Sequence, residues 1–122
     1  MNLRDRLRKS AAYVLLAVPL TVSAADPVLI DLVIAGGSPR GGVRTERVTK
    51  GDSVALRVSA DEPLEVHVHG YELVLRPDRE SSATVRFDAR ITGRFPVTAH
   101  LPAVEGKKAS ERALLYLEVH PK

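Results

Sequence analysis

The chain has no cysteine, no tryptophan and a single methionine, Met1. Without thiols it can form neither a disulfide nor a thiolate–metal bond. Aromatic residues make up only 4% of the sequence. Beyond residue 25 they are Tyr71, Phe87, Phe95 and Tyr116. That scarcity argues against a carbohydrate-binding platform or a large protein-binding hot spot, both of which rely on exposed rings. Long apolar runs are missing too. The longest, 11-AAYVLLAVPLTV-22, is shorter than the ~20 residues that cross a bilayer. No stretch is convincingly helical; the best candidate is one turn around 104-VEGKKASER-112, and Gly106 weakens it.

What is present begins with a basic head, 1-MNLRDRLRK-9, followed by the short apolar run and then the small residues Ser23, Ala24 and Ala25. These are the three parts of a secretory signal peptide. The sequence therefore predicts a leader over residues 1–25 and one domain over 26–122, exported to the bacterial periplasm or secreted, with no stable membrane insertion after cleavage. Of the 18 basic residues, Arg4, Arg6, Arg8 and Lys9 lie in the leader, against only Asp5 of the 15 acidic ones. The formal charge of +3 thus falls to zero once the leader is removed. A neutral domain lacks the basic excess that nucleic-acid or membrane-surface binding requires.

The remaining residues read as an all-β domain. Short runs rich in Val, Leu and Ile alternate with turn signals. Strands are expected at 28–34, 43–49, 53–59, 64–70, 82–88, 91–101 and 112–120, and Lys50-Gly51-Asp52 and Asp61-Glu62-Pro63 mark turns. In 64-LEVHVHG-70, Leu64, Val66 and Val68 share one face, and Glu65, His67 and His69 share the other. After Gly70 the inward set becomes Tyr71, Leu73 and Leu75, a change of parity that a one-residue bulge at the glycine explains. Seven to eight short strands in a domain of this size predict a Greek-key antiparallel β-sandwich.

The order of "KGDSVALRVSADEPLEVHVHGYEL", then "ATVRFDARITGRFPVTAH", then "LLYLEVH" is similar to that of the cupredoxin-like domains. The resemblance spans roughly residues 28–121. It implies a cupredoxin-like sandwich in which a type 1 copper site draws a His from the His-bearing strand, and a Cys, a His and usually a Met from around the last loop. The first ligand position corresponds to His69, in His69-Gly70-Tyr71, or to His67 one alignment step earlier. The Cys position falls on Ala99, followed by His100, and residues 101–113 contain no His, Cys or Met. A blue-copper centre needs a thiolate, so electron transfer by that route is excluded.

A different metal site remains open to the histidines. Residues i and i+2 of a strand project from one face about 6.5–7 Å apart at Cα, close enough for two imidazoles to converge on one ion. His67 and His69 have that spacing, His100 can supply a third nitrogen if its strand lies alongside, and Glu65 or Glu72 can add a carboxylate. A nitrogen-rich set of this kind favours Cu(II) among divalent ions. His120, two residues from the end, reads as solvated. The bland alternative is that the histidines are simply the polar face of a strand.

Catalysis has little support. No serine sits in a nucleophile-elbow context, and 36-GGSPRGG-42 lacks the ending of a phosphate loop. Arg76, Arg79, Arg86, Arg90 and Arg94 could form a partner-binding patch. Two readings follow: a cupredoxin-like protein without type 1 copper that binds Cu(II) or another ion weakly in metal handling, or a metal-free module that binds an unknown protein partner. Neither is an enzyme.

Overall fold

The computed structural model describes residues 12–21 and 26–122. Most of the expected leader, including its cleavage signal, lies outside the described residues, and residues 12–21 are exposed and form neither helix nor strand. Among the described residues no helix is long and apolar enough to cross a membrane.

The domain is all-β. Among the described residues nine strands form two sheets: β1 (Val28–Ala35), β2 (Ser38–Pro39), β3 (Arg44–Thr49), β4 (Ser53–Ala60), β5 (Glu65–Val68), β6 (Leu73–Leu75), β7 (Ala83–Asp88), β8 (Gly93–Leu101) and β9 (Ser110–His120). One sheet has the order β2-β1-β4-β7 and the other β3-β9-β8-β5-β6. The inward faces of both sheets supply one core, with Leu32, Leu56, Val66, Val97 and Leu117 almost fully buried. Val85 and Phe87 face inward on β7 and Arg86 and Asp88 outward, as their alternation requires.

Two features depart from the sequence-based expectation. The sandwich is mixed rather than purely antiparallel, since β1 pairs in parallel with β4, and β3 with β9. Parallel neighbours need a crossover, and here β3 provides it by passing into the opposite sheet before the chain returns as β4. Side-chain alternation reports which face is buried and is blind to the direction of the neighbouring strand.

The second departure is at Gly70. There is no bulge in a continuous strand. β5 ends at Val68, residues 69–72 turn, and β6 returns antiparallel with Val68 opposite Leu73 and Val66 opposite Leu75. Cross-strand partners share a face, so even-numbered residues before the turn pair with odd-numbered ones after it, and the parity switch follows. Gly70 has φ +83° and lies where a Cβ would meet the Phe95 ring, so the turn needs glycine twice over. The Tyr71 hydroxyl then ties the turn down, accepting a bond from the Ile91 N–H at 3.1 Å and donating to the Ile91 carbonyl at 2.9 Å.

Candidate metal centre

The outer face of the five-stranded sheet carries the polar cluster, and its layout follows from register. Glu65 on β5 lies opposite His100 on β8, which lies opposite Glu111 on β9. In the next row His67 lies opposite Thr98, and Thr98 opposite Ala113. His69 begins the turn after β5, its backbone N–H bonded to the Pro96 carbonyl. Three central strands therefore bring His67, His69, His100, Glu65 and Glu111 to one partly exposed surface, with Thr98 buried among them.

Within this surface His67, His69 and Glu111 each offer a ligand atom, all within 4.8 Å of one another. His67 Nδ1 lies 3.6 Å from Glu111 Oε1, and His69 Nε2 lies 3.1 Å from Glu111 Oε2. The Thr98 hydroxyl is 3.0 Å from the same His69 nitrogen. The rings of His67 and His69 are 6.2 Å apart at their centroids and inclined at 48°, so they do not lie in parallel planes.

The other His67 nitrogen is engaged from behind. Nε2 lies 2.8 Å from Glu65 Oε1, and Arg76 approaches the second oxygen of Glu65 at 3.4 Å. The bond from His67 holds the Glu65 carboxyl below the ordinary carboxylate range; partial desolvation opposes this, and the positive charge of Arg76 adds to it.

His100 behaves differently from the other two histidines. Its ring stacks parallel to that of His67, 5.8 Å away with only 4° between the planes. Lone pairs lie in the ring plane, so two stacked rings aim along separate planes, and one of them must rotate before both can reach one ion. Glu72 sits in the turn with φ +51° and is not part of the converging group. His120 lies about 30 Å further along β9 from Glu111, where it pairs with Glu118 at 3.1 Å.

Sequence reasoning missed Glu111 because it expected the last strand to begin at Arg112, whereas β9 begins at Ser110, and alternation would have misplaced the residue even within the strand. Alternation counted back from Leu117 and Leu115 puts residues 113 and 111 inward. A bulge reverses the phase: Val97 pairs with Leu115 but Thr98 pairs with Ala113, leaving Leu114 as an extra residue. Leu114 and Leu115 are both buried, and Ala113 and Glu111 turn to the histidine face. The Leu114-Leu115 doublet breaking an otherwise regular alternation is the signal that could have revealed it.

Four of the five arginines are placed by their neighbours. Arg76 pairs with Glu65, Arg90 with Asp88 at 3.6 Å, and Arg94 with Glu118 at 3.3 Å. Arg94 also lies over the Tyr116 ring on the outer face of the five-stranded sheet, whereas Arg86 faces outward on β7 of the other sheet. Arg86 and Arg90 line one groove with Asp88 between them.

No protein-family model and no curated protein matches the chain. Solved structures do. The chain is similar to a chain in the structure of a heme-copper terminal oxidase dimer, at 14% identity and a TM-score of 0.52, over 81% of this chain and 80% of that one. It is similar to a multicopper oxidase at 19% identity and a TM-score of 0.51, over 77% of this chain and 42% of the other. It is similar to the blue copper oxidase from Nitrosomonas europaea at 18% identity and a TM-score of 0.53, over 80% of this chain and 40% of the other. It thus spans less than half the length of those two oxidase chains. At these identities the likeness is one of fold, and the fold is cupredoxin-like.

The resemblance read from the sequence implies type 1 copper, and the residues here do not fit it. The chain supplies no thiolate. Ala99, at the position expected for one, is fully buried with its β-carbon in the apolar core. The cluster on the outer face of the sheet offers imidazole and carboxylate donors only.

Proposed function

We propose that this protein is an exported, cupredoxin-like domain without type 1 copper that binds Cu(II), or another borderline divalent ion, in periplasmic metal handling. The observation that carries this reading is the convergence of His67, His69 and Glu111 within 4.8 Å on an accessible face. Two imidazoles and a carboxylate suit Cu(II) and Zn(II), and the intrinsic order of affinities places Cu(II) first. Three protein donors leave further coordination positions to water or an incoming ligand, which suits an ion that is picked up and passed on. His100 stands beside the group as the donor that a ring rotation would bring in. The reading is of a binding protein, not an enzyme. Export is supported by the basic, apolar and small-residue order of residues 1–25.

Isothermal titration of the purified protein with Cu(II) and Zn(II) tests this. One ion per chain is expected, with affinity lost in the His67→Ala/His69→Ala double variant and lowered in Glu111→Gln. Binding no tighter than roughly 100 μM, or tight binding indifferent to all three substitutions, would remove the proposal.

A further inference from the structure

The two nitrogens of His67 face different acids, and that asymmetry decides how the ring works. Nε2 is 2.8 Å from Glu65 Oε1. A carboxylate is an acceptor only, so Nε2 must carry the hydrogen. In the neutral ring the lone pair then sits on Nδ1, which faces Glu111 Oε1 at 3.6 Å. A lone pair turned toward a carboxylate oxygen is an arrangement completed by a cation between them. Nothing intrinsic to imidazole enforces it, because a free ring can exchange its proton between the two nitrogens.

Glu65 is itself held. It occupies the cross-strand position next to His100 on β5, and Arg76, just beyond β6, reaches its second oxygen at 3.4 Å. Register fixes where Glu65 stands, and Arg76 restrains how its carboxylate is turned. The chain Arg76–Glu65–His67 runs into the candidate centre from the side away from Glu111. A carboxylate behind a metal-binding imidazole fixes the tautomer and raises the basicity of the ligating nitrogen.

We propose that Glu65 is a positioning residue for the metal centre: it locks His67 as the Nε2–H tautomer, so that His67 coordinates through Nδ1, while His69, whose Nε2–H faces Glu111 Oε2 at 3.1 Å in the metal-free chain, moves that hydrogen to Nδ1 to coordinate through Nε2. This rests on the metal-binding reading above and adds to it a ligand atom and a residue that never touches the ion. It also accounts for Glu65 and Glu111, two acids flanking one ring, having different jobs.

The test has two readouts. Nitrogen-15 NMR of the metal-free protein reports the His67 tautomer directly, and the same spectrum with Zn(II) reports which nitrogen of each ring is bound. The wild-type chain is expected to show His67 protonated at Nε2, and Zn(II) on Nδ1 of His67 and Nε2 of His69. In Glu65→Ala the tautomers are expected to mix, and affinity for Zn(II) and Cu(II) to fall about ten- to a hundredfold, with a smaller fall in Glu65→Gln, whose amide oxygen still accepts a weaker bond. Glu62→Gln and Asp78→Asn, which remove an equal charge from the neighbouring groove without contacting His67, are expected to stay within about threefold of wild type. An unchanged tautomer and affinity in Glu65→Ala, or Zn(II) bound through Nε2 of His67, would overturn this inference alone. Absence of ion binding by the wild-type chain would overturn the functional reading as well, so the two failures are distinguishable.

Discussion

Gly70 concentrates two constraints in one residue. Its φ of +83° lies in the left-handed region, and a Cβ there would run into Cδ1 of the Phe95 ring. A side chain at this position must therefore bear backbone strain and also displace a ring of the core. Gly70→Ala is expected to cost roughly 2–4 kcal/mol, read as a fall of more than about 8 °C in the thermal midpoint. Glu65 makes a gentler prediction. Its bond from His67 and its pairing with Arg76 exist only in the folded chain, so the folded carboxyl holds its proton less tightly than the unfolded one. The sign follows from linkage: the contribution is whole above the ordinary carboxylate pKa near about 4.3, fades as pH falls toward the lower folded value, and is gone below both. Chemical denaturation of wild type and Glu65→Gln should show a small gap that persists above about pH 5 and narrows progressively as pH falls below the ordinary carboxylate value. A gap that widened on acidification would contradict this assignment.

At the scale of elements, the bulge in β9 is the device that joins core and site. It places Leu114 in the core beside Leu115 and returns Glu111 to the histidine face. Those two effects are separable. Leu114→Ala is expected to cost about 2–5 kcal/mol in urea unfolding, because the side chain is fully buried. It should leave Zn(II) affinity almost unchanged, because the ladder from Thr98↔Ala113 to Leu101↔Ser110 does not depend on that side chain. Loss of both together would mean that packing, not register, positions Glu111. The same strand marks how far the sequence could be read. Alternation in 53–59 and 82–88 located β4 and β7 and assigned their inward residues, because a half-buried strand writes its burial into every second position. The i, i+2 spacing likewise put His67 and His69 on one face. Glu111 was hidden because the polar run before Arg112 reads as loop although β9 begins at Ser110, and because one extra residue reverses the phase within the strand; the β5–β6 hairpin was mistaken for a bulge because both produce the same change of parity. Parallel pairing of β1 with β4 was hidden for a further reason: it depends on the path between sheets, which leaves no mark on either strand.

Across the whole molecule, the candidate centre ties together parts of the chain that are distant in sequence. His69 and Glu111 are 42 residues apart, and β8 lies between their strands. An ion held by His67, His69 and Glu111 would therefore tie β5 to β9 across the intervening β8 of the five-stranded sheet. Binding that favours the folded chain raises its stability by mass action, about 2.7 kcal/mol at an ion concentration one hundred times the dissociation constant. For a domain of this size each kcal/mol is worth about 4–8 °C in the thermal midpoint, which sets an upper range of roughly 10–20 °C. The unfolded chain still carries four histidines and binds some ion itself, which lowers the rise. The wild-type protein is accordingly expected to melt several degrees higher with excess Zn(II), and to lose the gain on adding a chelator. The His67→Ala/His69→Ala variant should show no rise, although it keeps His100 and His120. A shift of equal size in that variant would place the ion elsewhere. No shift in the wild-type chain at saturating ion would mean that the outer face of the sheet binds no ion preferentially in the folded state, and that its histidines are a polar surface and nothing more.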